Sequence, residues 1–77
     1  MTKEQISEYA NSITYTNTKT MITMHNGDTF IGYFDYNPDP TLANTNKWNF
    51  VEIPNFKQEK YITLDGNDFL KIETLIL

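Results

Sequence analysis

A chain of 77 residues has room for one small domain, and without cysteine it has neither a disulfide framework nor a cysteine-ligated zinc site to reinforce a thin core. Hydrophobic residues at 39% and aromatics at 14% exclude a solvated, disordered chain. Ten acidic residues against six basic ones give a net charge of −4, and every basic residue is lysine, a poor composition for gripping a phosphate backbone.

No run approaches the about 18 apolar residues of a membrane span, and the polar opening MTKEQISEYANSITYTNTK lacks the apolar centre of a secretory leader. A cytoplasmic location is the expectation. Asparagine and threonine are scattered among aromatic and β-branched residues, which reads as strand and turn chemistry.

The first expected element is a helix from Lys3 to Ser12. Thr2 can cap it, with Gln5 three residues on completing a capping box that satisfies two otherwise orphaned amide donors. Ile6, Tyr9, Ala10 and Ile13 recur at helical spacing and form one apolar stripe. A helix this short needs a surface to lie on.

Beyond Asn17 the apolar period falls to two. Thr20 to Met24 reads as a strand, Asn26-Gly27 as a type I′ hairpin turn, and Thr29 to Tyr36 as the returning strand. In that second strand Phe30, Gly32 and Phe34 share one face, and Ile31, Tyr33 and Asp35 the other. A glycine between two large aromatics marks a bend or the close approach of another backbone.

Asn37 to Asn46, NPDPTLANTN, is the longest loop. Trp48 to Ile53 reads as a third strand stopped by Pro54. Asn55 to Lys60 connects to a fourth strand, Tyr61 to Leu64; Asp65-Gly66 is a tight turn, and Phe69 to Leu77 a fifth strand. One helix followed by five short antiparallel strands is the pattern of a closed or nearly closed small β-barrel.

The run from Lys19 to Asp35, KTMITMHNGDTFIGYFD, resembles the first motif of the Sm-like family: a hydrophobic strand, a turn glycine, an aromatic, a second glycine and an aspartate, matched by Gly27, Gly32 and Asp35. The stretch from Ile62 to Ile72, ITLDGNDFLKI, is similar to the family's second motif. The resemblance implies one domain over residues 1–77, with 1–17 an N-terminal helix and connection. Residues 18–77 would then form a mainly β, five-stranded, strongly bent antiparallel barrel of Sm-like or SH3-like kind. It also implies rings in which the fourth strand of one subunit pairs with the fifth of the next.

Family members that bind RNA place an asparagine four residues after the motif aspartate and an arginine just before the glycine of the second motif. Here Asn37 is the nearest asparagine in sequence, Asn49 is the nearest equivalent after an inserted loop, and Asp65 stands in the arginine's place. Aspartate repels phosphate where an arginine fork would engage a base. Tyr33, Tyr36 and Trp48 are the aromatics from which a stacking platform would be built, and equally serve as core or subunit contacts.

Catalytic chemistry finds little to work with. His25 is the single histidine and sits beside a turn without an evident carboxylate to orient it. Asp65, Asn67 and Asp68 echo an oxygen-rich cation loop, but the EF-hand spacing and its later bidentate glutamate are missing. Asp35 and Asp65 would face one another only if their loop ends share a rim.

The expectation is therefore a non-enzymatic small interaction module of bacterial or phage type, without cofactor, metal, membrane contact or small-molecule substrate. It would self-assemble or bind a protein partner. Candidate binding residues are Asp35, Tyr36, Asn37, Trp48, Asn49, Asp65 and Asn67. An RNA-binding regulator, disfavoured by charge, and a small acidic inhibitor are the competing readings.

Overall fold

The computed structural model describes residues 1–12, 18–35, 44–53 and 58–75. Ile13, Tyr36 and Asn37 and most of the long loop lie outside these residues, as do Pro54 and the last two positions.

The helix α1 spans Lys3–Asn11 and starts as its local chemistry requires. Thr2 Oγ1 accepts from the Gln5 N–H at 3.2 Å, and Gln5 Oε1 accepts from the Thr2 N–H at 2.9 Å, a reciprocal capping box. Ser12 ends it one residue earlier than expected, its N–H bonding to the Tyr9 carbonyl. The stripe is buried as its spacing implies: Ile6 and Ala10 are inaccessible, and Tyr9 lies 6.0 Å from Phe34, ring to ring.

Five strands follow: β1 Thr20–Met24, β2 Thr29–Phe34, β3 Lys47–Glu52, β4 Lys60–Asp65 and β5 Phe69–Thr74. All pairings are antiparallel, in the order β4-β3-β2-β1-β5. The alternation placed all five strands: β1 coincides with its expected bounds, and the other four differ by one to three residues at one or both ends. The mid-strand glycine works as expected. Gly32 faces Glu52 across the β2–β3 ladder, and a Cβ there would overlap the Val51 carbonyl.

The first turn differs from the expected type I′ form. Only Gly27 takes a positive φ, +94°, whereas Asn26 does not. The Gly27 N–H bonds to the Met24 carbonyl at 3.0 Å, and the Met24 N–H to the Asp28 carbonyl at 2.8 Å. This encloses a three-residue loop ending in a glycine bulge. The cause is the Asn26 side chain, whose Oδ1 accepts from the Asp28 N–H at 2.9 Å and holds a local turn with negative φ.

The second turn is likewise not a two-residue hairpin but a single 3₁₀ turn, Gly66–Asp68, capped by Asp65. It joins the two outermost strands, and this fixes the curvature. In a flat sheet β4 and β5 would lie about 19 Å apart, whereas a three-residue 3₁₀ link advances about 2 Å per residue. The sheet must therefore roll.

It rolls without closing, contrary to the expected barrel: β4 and β5 form no ladder with each other. Other hydrogen-bond partners occupy the place where that ladder would begin. The Met1 ammonium donates to the Gly66 and Phe69 carbonyls at 3.1 and 2.9 Å, and the Gly66 N–H is taken by the Asn46 carbonyl at 2.7 Å.

The core fills the roll. Ile6, Ile22, Met24, Phe34, Phe50, Leu64 and Phe69 form one cluster, with Phe34 packed edge-on against both Phe50 and Trp48. Burying each phenylalanine contributes about 2 kcal/mol, and each edge-to-face pair about 1 kcal/mol more. Tyr9 anchors the helix over this core through hydrogen bonds shared with Thr20 at 3.2 Å and Thr74 at 2.6 Å.

Candidate functional site

The candidate binding residues that fall within the described segments separate into two regions, both built on β3. The first surrounds Asn46, the residue just before that strand. Its φ is +60°, a conformation asparagine tolerates better than most residues, and it is 7% exposed. Its Nδ2 donates to the Met1 carbonyl at 3.0 Å and to Asn67 Oδ1 at 3.2 Å, while its Oδ1 accepts from Trp48 Nε1 at 2.8 Å. One amide side chain thus ties the N-terminus, β3 and the 3₁₀ turn together.

This occupies two residues expected to bind ligand. The Trp48 indole is half-buried, its N–H spent on Asn46 and its ring set at 81° against Phe34. Its remaining surface lines a cleft of about 180 Å³ against Lys3, Glu4 and Ser7 of α1. Asn67 is exposed and gives its side-chain oxygen to Asn46 as an acceptor.

Asp65 is also engaged. Its carboxylate accepts from Lys47 Nζ at 2.7 Å and from the Asn67 N–H at 3.0 Å. The hydrogen bond from Lys47, then that from the Asn67 amide, hold its pKa below the ordinary 3.8. The cation beside Asp65 comes from the neighbouring strand and is already paired with it.

The second region is centred on Asn49 of β3, three residues beyond Asn46, and faces outward. Asp35 stands opposite Asn49, its N–H bonding to the Asn49 carbonyl at 3.0 Å, and Asn49 stands opposite Thr63 of β4. Thr63 Oγ1 donates to Asn49 Oδ1 at 3.0 Å. With Phe50, Tyr61 and Ile62 these three line an open groove of about 200 Å³ along β4.

Tyr61 on this groove is 70% exposed. Its hydroxyl donates to Glu59 at 3.2 Å. That bond, then the Glu59 charge, with lesser effects of burial and the Asp35 carboxylate, raises its pKa above the ordinary 10.0. The groove offers carboxylate, amide and hydroxyl groups to hydrogen-bond donors beside the outer edge of β4, which pairs with no other strand among the described residues.

Asp35 and Asp65 do not form a catalytic pair. They sit two strands and two residues apart on the sheet, about 12 Å by strand geometry, too far to share a proton. Among the described residues no group of three or more His, Cys, Asp or Glu is placed to hold a metal ion, and no helix is long and apolar enough to cross a membrane.

Asn46, Lys47 and Tyr61 were not among the residues singled out by sequence. The signal for Asn46 was its position at the end of a turn-forming run, where asparagine is suited to a positive φ. Nothing in the sequence announced its partners.

No family model matches the chain, and no curated protein and no solved structure matches it.

Proposed function

We propose that the protein is a non-enzymatic interaction module of Sm-like type that assembles with copies of itself by pairing β4 of one subunit with β5 of the next. The observation that carries this reading is where the apolar surface lies. Among the described residues the exposed large hydrophobics are Tyr61, 70% exposed, and Leu70, 52% exposed, and they sit on β4 and β5, the two outermost strands of the sheet. An unpaired edge is a template for another strand, and proteins that stay monomeric normally cover or charge it.

The arrangement is head-to-tail. The two edges differ, so a β4–β5 contact joins unlike surfaces, and the rotation between subunits decides whether the assembly closes into a ring. The strand order, the 3₁₀ link between β4 and β5 and the helix before β1 support the Sm-like resemblance. The RNA-binding alternative is weakened by the net charge of −4 and by the commitment of Trp48 to Phe34 and Asn46.

Multi-angle light scattering tests the reading. A mass several times 9.0 kDa at micromolar concentration is expected, and Leu70→Lys or Tyr61→Lys should lower it while leaving the melting temperature of the subunit nearly unchanged. A mass equal to one chain overturns it.

A further inference from the structure

We propose that the cleft between the β1–β2 loop and the 3₁₀ turn receives the side chain of an arginine presented by a partner protein. The cleft has a volume of about 280 Å³ and is lined by Met24, His25, Asn26, Asp28, Phe30 and Asp68. That falls just below the roughly 300–1,000 Å³ range of small-molecule sites, and suits one long side chain better than a whole ligand.

Its floor is apolar. Met24 is 8% exposed and belongs to the core cluster, and Phe30 packs half-buried against that cluster. Its rim carries two carboxylates, Asp28 from the hairpin loop and Asp68 from the 3₁₀ turn, both exposed. The His25 N–H donates to the Asp68 carbonyl at 2.8 Å, so the two turns that display them are joined. Asn26 Nδ2 donates to Asp28 Oδ2 at 3.1 Å, which orients that carboxylate without neutralising it.

Among the described residues no cation pairs with either carboxylate. The ion pairs among the described residues are Lys47 with Asp65 and Lys71 with Glu73, and neither reaches this cleft. An apolar floor under two unneutralised carboxylates matches a side chain with a hydrocarbon stem and a cationic head.

A guanidinium fits better than an ammonium. It is planar and weakly hydrated, its fork of donors can reach two carboxylates, and it stacks on an aromatic ring such as Phe30. The chain contains no arginine, so the occupant comes from a different protein, which the net charge of −4 helps to steer. The cleft lies wholly within one subunit, so the proposal does not depend on strand-edge assembly.

The test is amide shift mapping by NMR on the full chain at low salt, with N-acetyl-arginine amide as the probe and its neutral isostere N-acetyl-citrulline amide as the control. Saturable shifts confined to residues 24–30 and 66–69 are expected for the arginine probe and none for the citrulline probe. Asp28→Asn and Asp68→Asn should each weaken binding about threefold without changing the melting temperature. Equal response to both probes overturns the proposal, as do shifts centred on Asp35 and Thr63, binding unaffected by either substitution, or equal affinity for N-acetyl-lysine amide.

Discussion

Two regions three residues apart, one just before β3 and one within it, use the same amino acid in opposite ways. Asn46 is buried, adopts a positive φ, and spends both ends of its amide on three other segments. Asn49 lies on the outward face, with one side-chain hydrogen bond from Thr63 beside an open groove. The difference teaches that an asparagine's function follows from how many of its polar groups the fold has already used. At Asn46 nothing is left for a ligand; at Asn49 the amide donors are unspent among the described residues.

Substitutions at the first region should cost the most. Gly66→Ala would drive a Cβ into Asn46 Oδ1 and Ile6 Cδ1, displacing polar clamp and core together, with an expected loss of about 3 kcal/mol in urea unfolding. Asn46→Ala removes the acceptor for Trp48 and the donor to Met1 and forces alanine to a positive φ. About 2–3 kcal/mol is expected, with Asn46→Gly milder by about 1 kcal/mol because glycine accepts that backbone.

Asp65→Asn should act through pH alone. The folded-state pKa of Asp65 is lowered, so its contribution is complete above the ordinary value of 3.8 and is lost as pH falls through the lowered folded value. Thermal melts of the variant and the parent should therefore converge in acid and differ slightly at neutral pH, where an exposed pair is worth little. Asn49→Ala should change stability by no more than about 0.5 kcal/mol. Equal losses at Asn46 and Asn49 would break the contrast between the two regions.

What was legible in the sequence was local. The Thr2 and Gln5 capping box, the alternation that marks each strand, and the close backbone approach at Gly32 all depend on residues near one another or on a property of one residue type. The I′ turn was misjudged because Asn26 has two local options, and its side chain chose the Asp28 amide over a positive φ.

Barrel closure was misjudged for a different reason: the groups that cap the open corner, Met1 and Asn46, lie far in sequence from Gly66 and Phe69. Asn67 bonds to Asn46 across 21 positions, whereas Trp48 does so across two, by a φ of +60° at Asn46 that brings its amide under the indole. Asn46 stands between the two, taking the indole N–H of Trp48 and donating to the side-chain oxygen of the exposed Asn67.

The strand order also has a consequence for how the chain acquires its shape. Thr23 faces Thr29 across the β1–β2 hairpin, a contact closed by a short loop, whereas Thr20 faces Thr74. The first strand therefore has only one neighbour until the fifth emerges from the ribosome, and its second flank stays uncovered through most of synthesis. Closing so long a loop costs entropy before any contact repays it, so the hairpin should form early and the β1–β5 ladder last. During that interval β1 is an exposed edge of the nascent chain, an edge that the finished fold covers with β5, and it is at risk of pairing with the wrong strand.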